Sequence, residues 1–189
     1  GIVKLNQDGT LDSSFNDTSS QGFINRGFYM RPYNNANGLY RVYDIIEQPD
    51  GKLIAVGSFN TYDNGTPNGT NCQNIVRIDG NNGAIDPTFI ATIDNDYTNY
   101  TSPITVGITD NFTNFSLVFD SQNRLYIAGK FTKYNNQAVN NIVRIGLDTN
   151  IDNTFNNFCK GFDGPVSIIR EFNDGKILCF GSFKRYNGI

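Results

Sequence analysis

Three couples of a cation and a carboxylate have the types and spacing to do chemistry: Lys4 with Asp12, Arg77 with Asp86, and Arg144 with Asp152. A carboxylate beside a cation can hold a proton, bind an anion or orient a nucleophile, and one such pair in a cleft would suit a catalytic centre. Here the couple recurs at one place in a repeated phrase. Ile2-Val3-Lys4-Leu5, Ile75-Val76-Arg77-Ile78 and Ile142-Val143-Arg144-Ile145 each lead to an Asp-x-x-Phe ending, at Asp12 to Phe15, Asp86 to Phe89 and Asp152 to Phe155. A catalytic group is needed once, so the recurrence assigns these couples to ion pairs or turn caps inside a structural unit.

Other chemistry is thinly represented. The chain has no histidine, which excludes a Ser-His-Asp triad and histidine-bearing zinc sites, and it contains no phosphate-cradling G-x-x-x-x-G-K-[ST] loop. Cys72, Cys159 and Cys179 have neither metal-like nor redox-like spacing, and an odd number cannot pair fully within one chain. Asp94-Asn95-Asp96 and Asp63-Asn64 offer oxygen ligands, but no EF-type spacing follows them, which favours solvated loops. No pair of carboxylates suited to glycoside cleavage can be picked out, because Asp and Glu mostly occupy turns. Sequons such as Asn64-Gly65-Thr66 arise by chance in so Asn- and Thr-rich a chain. No cofactor and no metal is expected.

Composition narrows the partners. The 189 residues carry a formal charge of −3 with a sequence pI near 4.8, so no basic field draws a nucleic-acid backbone or an acidic membrane surface. No stretch has the apolar length to span a bilayer, and the first residues lack the charged-then-apolar order of a signal peptide.

The elements that must position the recurring couples are short strands. A second phrase recurs beside the first: Asp50-Gly51-Lys52-Leu53 to Gly57-Ser58-Phe59, Gln122-Asn123-Arg124-Leu125 to Gly129-Lys130-Phe131, and Asp174-Gly175-Lys176-Ile177 to Gly181-Ser182-Phe183. Its apolar residues fall on both parities, which predicts a strand covered on both faces. A strand precedes each copy, at Val42 to Gln48, Phe115 to Asp120 and Val166 to Phe172, joined through turns whose Gly or Asn supplies the positive φ of a hairpin. The Ile-Val-Arg-Ile segments make a third strand, and Leu11 to Phe15, Ile85 to Phe89 and Ile151 to Phe155 a short fourth. The glycines Gly57, Gly129 and Gly181 predict close strand approach or a bulge, and the three Phe endings predict filling between neighbouring blades. Four short antiparallel strands in units of roughly fifty residues, with no helix-period pattern, predict an all-β chain of β-propeller blades. A β-sandwich and a β-solenoid are the rivals; sandwiches do not repeat a four-strand phrase, and solenoid coils are usually shorter.

The pattern Val-x-x-Ile, Asp-Gly-Lys-Leu-x-x-x-Gly-x-Phe-x-x-Tyr, Ile-Val-Arg-Ile, Gly-x-x-Asp-x-x-Phe resembles the delta-60 repeat, a propeller-like repeat of unassigned biochemical function. The likeness runs through all three units, including Tyr62, Tyr134 and Tyr186, and leaves out only the long loops. Ser121-Gln122-Asn123-Arg124 departs from Asp-Gly-Lys, and Asp148-Thr149-Asn150 lacks the usual Gly, which predicts weaker turns there. The resemblance implies a bacterial surface, secreted or phage tail-associated protein, hence an extracellular, cell-surface or virion location, and it brings no catalytic residues. The expected organisation is one propeller segment over 1–189: a half unit at 1–15 with strands three and four, units at 40–89 and 114–155, and a half unit at 166–189 with strands one and two. The expectation is a segment of a larger propeller, with head-to-tail association of copies as the alternative, because open ends would expose strand edges and apolar faces.

What does not recur lies in the loops. In an up-and-down blade the turns after strands one and three share one face, and the loops after strands two and four share the other. The long inserts Asn16 to Leu39, Asn60 to Gln73 and Ile90 to Asn114 therefore gather on one face. Their Arg26, Tyr29, Arg31, Tyr33, Tyr62, Tyr97 and Tyr100, set among Asn and Thr, are the candidate ligand-binding residues, since Tyr gives contact area at low entropy cost and can stack on sugars. The sequence thus predicts a non-enzymatic recognition or adhesion module that binds glycan or protein. The competing readings are a structural spacer whose loops pack on other blades or subunits and, with least support, a polysaccharide-cleaving enzyme.

Overall fold

A computed structural model of the chain describes residues 2–15, 27–29, 41–59, 61–63, 70–94, 114–155 and 161–189. These fall into two compact units, Gly1–Ala91 and Thr92–Ile189. All regular structure among the described residues is β.

The first unit contains β1 (Gly27–Tyr29), β2 (Arg41–Glu47), β3 (Lys52–Ser58), β4 (Thr61–Asp63), β5 (Thr70–Asn71) and β6 (Ile75–Asp79). β2, β3 and β6 form an antiparallel meander in that spatial order, with Leu53 opposite Ile78 and Ala55 opposite Val76. This is a propeller blade. The residues Ile54 to Val56 are buried in succession, as expected for a strand covered on both faces. Gly51, at φ 80°, makes the β2–β3 turn. A Cβ at Gly57 would collide with the carbonyl oxygen of Arg41, and the β2–β3 register shifts between Val42 and Asp44. The glycine therefore admits the neighbouring backbone at a bulge.

The second unit contains β7 (Ile93–Asp94), β8 (Ser116–Phe119), β9 (Leu125–Ala128), β10 (Lys133–Tyr134), β11 (Gln137–Ala138), β12 (Ile142–Ile145), β13 (Val166–Glu171) and β14 (Ile177–Gly181). β8, β9 and β12 repeat the meander, and β13 pairs with β14 as the first two strands of a further blade. The β8–β9 turn departs from Asp-Gly without loosening, contrary to the sequence expectation. Asp120 Oδ1 accepts from the backbone N–H groups of Gln122 and Arg124, both at 2.9 Å, and Asn123 takes the left-handed conformation at φ 58°.

The expected fourth strand needs correction. In each copy it is reduced to one bridge, Leu5 with Leu11, Ile78 with Ile85, and Ile145 with Ile151. The reason is local. The next residue but none is the recurring Asp, whose Oδ1 accepts from the N–H and hydroxyl of the residue two further on, and that turn bends the chain away before a ladder can extend.

Each unit has its own apolar core. In the first, Phe15 and Ile2 pack with Ala55, Phe59, Tyr62, Val76 and Ile78, so the Ile2–Phe15 hairpin lies against the β2-β3-β6 blade. In the second, Tyr126, Ala128, Ile142 and Phe155 pack with Phe162, Val166, Ile169 and Ile177. Phe15 and Phe155 thus fill space between neighbouring blades, as the sequence predicts.

Candidate functional site

The recurring charged couples are built into the blades. Arg77 projects from β6, and its Nε donates to Asp86 Oδ2 at 3.0 Å while Nη2 reaches Thr88 Oγ1 at 3.1 Å and Nη1 reaches Gln48 Oε1 at 3.5 Å. Its guanidinium lies 4.9 Å from the ring centre of Phe89. Arg144 repeats this on β12: Nη2 is 2.7 Å from both Asp152 Oδ2 and Thr154 Oγ1, Nη1 is 2.9 Å from the Tyr126 hydroxyl, and the guanidinium is 5.0 Å from the Phe155 ring centre. Lys4 is a looser version, 3.8 Å from Asp12 and donating at 2.9 Å to Gly80 O.

Asp86 is the most strongly held of these carboxylates. Burial works against its charge, but Lys52 Nζ at 2.9 Å, the Thr88 hydroxyl and backbone, and Arg77 together bring its pKa well below the ordinary carboxylate range. In the second blade Arg124 stands where Lys52 does, yet it turns to Asp120 at 2.7 Å and stays 3.8 Å from Asp152. A proton-transfer group needs a pKa near the working pH, whereas these carboxylates are shifted the other way. The arrangement ties strand three to the turn after it.

The two described thiols, Cys72 and Cys179, are equally unsuited to nucleophilic work at neutral pH. Burial pushes Cys72 up to about 12 and Cys179 up to about 11, and both are free. Among the described residues, no three His, Cys, Asp or Glu side chains group to hold a metal ion.

The proposed ligand-binding tyrosines divide. Tyr62 is a correction: it is fully buried, packs in the first unit's core, and donates its hydroxyl to Gly83 O at 2.7 Å, so it cannot meet a ligand. The equivalent Tyr134 is buried too and donates to Thr149 O at 3.0 Å. Tyr29 lies on β1, where its backbone pairs with Thr61. Arg26, Arg31, Tyr33, Tyr97 and Tyr100 lie outside the described residues.

The long connections do meet, through sheets that the sequence reading missed. β4 and β5 form a hairpin between strands two and three of the first blade, and β1, from the connection that precedes the blade, adds to it in the order β1-β4-β5. β11-β10-β7 repeats this in the second unit. One signal was available. Asn135-Asn136, at φ 47° and 62°, is a two-residue hairpin turn of the kind Asn favours, and Tyr186-Asn187-Gly188-Ile189 repeats it with reciprocal backbone hydrogen bonds. The pairing partners β1 and β7 are too short to carry a periodic signal.

Residues 1–15, 48–89 and 122–155 match the family described as "Domain of unknown function (DUF5122) beta-propeller". The matched stretches contain the three Ile-Val-Lys/Arg phrases and the first two copies of the second phrase, and leave out residues 16–47, 90–121 and 156–189. The chain is therefore similar to a β-propeller repeat family over those stretches, which hold β3, β6, β9 and β12. No curated protein and no solved structure gives a significant match to the chain.

Proposed function

We propose that the chain is a non-enzymatic recognition module whose long connections bind a glycan or a protein on the exterior of a bacterial cell or a virion. The observation that carries the reading is the lateral pairing of β1 with β4 and of β7 with β10. It joins the described part of the connection entering a blade to that of the connection between its second and third strands, and long connections on a rigid scaffold commonly carry binding. The recurring cations and carboxylates are engaged in holding strands to turns, which leaves specificity to residues outside the repeat. Arg26, Tyr29, Arg31, Tyr33, Tyr97 and Tyr100 are the proposed contacts, as aromatic and bidentate groups suited to sugar or peptide surfaces. The cell-surface or virion setting rests on the delta-60 resemblance.

The test is a glycan array and a pull-down from surface extracts, comparing the chain with a variant carrying Ala at Arg26, Arg31, Tyr33, Tyr97 and Tyr100. Loss of a specific signal with an unchanged unfolding midpoint supports the proposal. Equal signal from both proteins, or none from the unaltered chain, rejects it.

A further inference from the structure

We propose that the residue closing the first strand of a blade selects the partner of the cation that opens the second. A carboxylate there, as at Asp120, draws the cation onto the hairpin turn, and a neutral amide, as at Gln48, releases it to brace the turn after strand three.

The two positions are equivalent in the backbone. Gln48 N–H donates to Lys52 O at 2.7 Å and Asp120 N–H to Arg124 O at 3.0 Å, while Gly51 N–H and Asn123 N–H return to Gln48 O and Asp120 O at 2.9 Å and 2.8 Å. Both side chains are buried, at 4% and 6% exposure. The difference between the blades therefore lies in the side chains. Gln48 carries no charge, and its Oε1 accepts from Arg77 Nη1. Lys52 is free to lean on Asp86, at 2.9 Å, with Asp50 farther off at 3.6 Å.

Asp120 makes a stronger demand. A buried carboxylate is stable only when its charge is paired and its oxygens are bonded. Two backbone N–H groups fill Oδ1, which leaves Oδ2 for a cation, and Arg124 Nε supplies it at 2.7 Å. Asp152 makes the weaker claim on Arg124. Arg144 Nη2 already stands 2.7 Å from its Oδ2, and the hydroxyl and backbone N–H of Thr154 fill its Oδ1. Arg124 Nη1 accordingly stays 3.8 Å away.

The choice is felt on strand three. Nη1 of Arg77 crosses to strand one at Gln48, whereas Nη1 of Arg144 turns to the Tyr126 hydroxyl on β9 at 2.9 Å. Nε of Arg144 is buried and has no hydrogen-bond partner among the described residues. The second blade has thus exchanged a brace across its strands for a clamp on its first turn. That turn is the one without glycine: Asn123 takes φ 58° where Gly51 takes φ 80°. The clamp falls where a left-handed residue bears a side chain and the turn most needs support.

Carboxyl-carbon NMR titration of the labelled 21.0 kDa chain tests the selection. In Asp120→Gln the cation passes to Asp152, whose midpoint should fall by about half a pH unit or more. In an Arg124→Gln background the same change should move Asp152 far less, because no cation is left to transfer. An equal fall there would trace the effect to the lost charge of Asp120 and overturn the proposal. Arg124→Lys alone should leave Asp152 where it is; a fall would assign the choice to the type of cation and overturn it as well. So would an Asp152 midpoint that stays or rises in Asp120→Gln. If that variant fails to fold, Asp120→Asn, which keeps an oxygen for the turn N–H groups, takes its place with the same expectations. The first blade gives the reverse test: a crystal structure of Gln48→Asp should show Lys52 turned from Asp86 to residue 48, and an unmoved Lys52 counts against the proposal.

Discussion

The hydroxyl of Tyr62 donates to the carbonyl of Gly83 at 2.7 Å, and so ties the lateral hairpin of the first unit to the turn that follows strand three of its blade. Tyr134 makes the same tie to Thr149. A repeated buried phenol whose only polar atom reaches a turn carbonyl is a structural fastener. Tyr62→Phe keeps the ring packing but strands a buried acceptor, and should cost about 1–3 kcal/mol in urea unfolding. Tyr134→Phe, on a less enclosed bond, should cost about 1 kcal/mol. Neither substitution should alter ligand binding, which an array with the Phe variants would check.

Asp86 sets an acid limit on stability. Its carboxyl is held below its unfolded value, so its contribution is complete above the unfolded pKa of about 3.9 and is lost as pH falls through the depressed folded value. Unfolding midpoints measured downward from pH 6 should hold until about pH 4 and then drop. In Asp86→Asn that drop should be shallower, and the variant should be about 2 kcal/mol less stable at pH 7, because Arg77 is left buried with a neutral partner. Asp12→Asn should have a smaller effect, since Lys4 is largely solvated.

How far the sequence could be read follows from the range of each signal. β3 was legible because its both-parity apolar run reflects burial on two faces, and the β2–β3 and β13–β14 turns because Asp-Gly demands a positive φ. The role of Arg77 and Asp86 was legible from recurrence alone. The fourth strand was overestimated because Ile85 is apolar like a strand residue, while the side-chain bonds of Asp86 that end the pairing leave no mark on periodicity. The lateral sheets escaped because they join two- and three-residue pieces far apart in the chain, such as Phe28 with Tyr62. The residue type of Tyr62 points to a ligand, but its recurrence at Tyr134 and Tyr186 carries the same structural message as the recurrence of Arg77 at Arg144.

Glycine at the end of strand two is required by backbone contact. A Cβ at Gly57 would meet Arg41 O, and one at Gly181 would meet Pro165 O, both main-chain atoms that cannot rotate aside. Gly57→Ala and Gly181→Ala should each lower stability by about 1–3 kcal/mol, as for other overpacked sites. At Gly129 the nearest atom is instead Cδ1 of the Phe115 ring at 2.6 Å, with the carbonyl oxygen of Asn114 at 3.0 Å, a milder approach than the 2.0 Å and 2.1 Å at Gly57 and Gly181. Gly129→Ala should therefore be the mildest of the three. Chemical unfolding of the set under one condition tests the order.

Thr149 occupies the turn position that Gly9 and Gly83 hold in the other copies, and it does so at φ 69°. A β-branched residue in the left-handed region crowds its own carbonyl at a cost of roughly 1–2 kcal/mol. Glycine would remove that strain, but it would also widen the unfolded ensemble by about 0.4–1 kcal/mol. The difference favours glycine, so Thr149→Gly should stabilise the protein by about 0.5–1 kcal/mol in thermal or chemical unfolding. The acceptor for Tyr134 is the backbone carbonyl of residue 149, which survives the substitution, so the two effects separate cleanly. Tyr134→Phe should cost the same in the Thr149→Gly background as in the unaltered chain. A coupling well beyond about 0.5 kcal/mol would show that the side chain of Thr149, and not its carbonyl alone, supports the tyrosine.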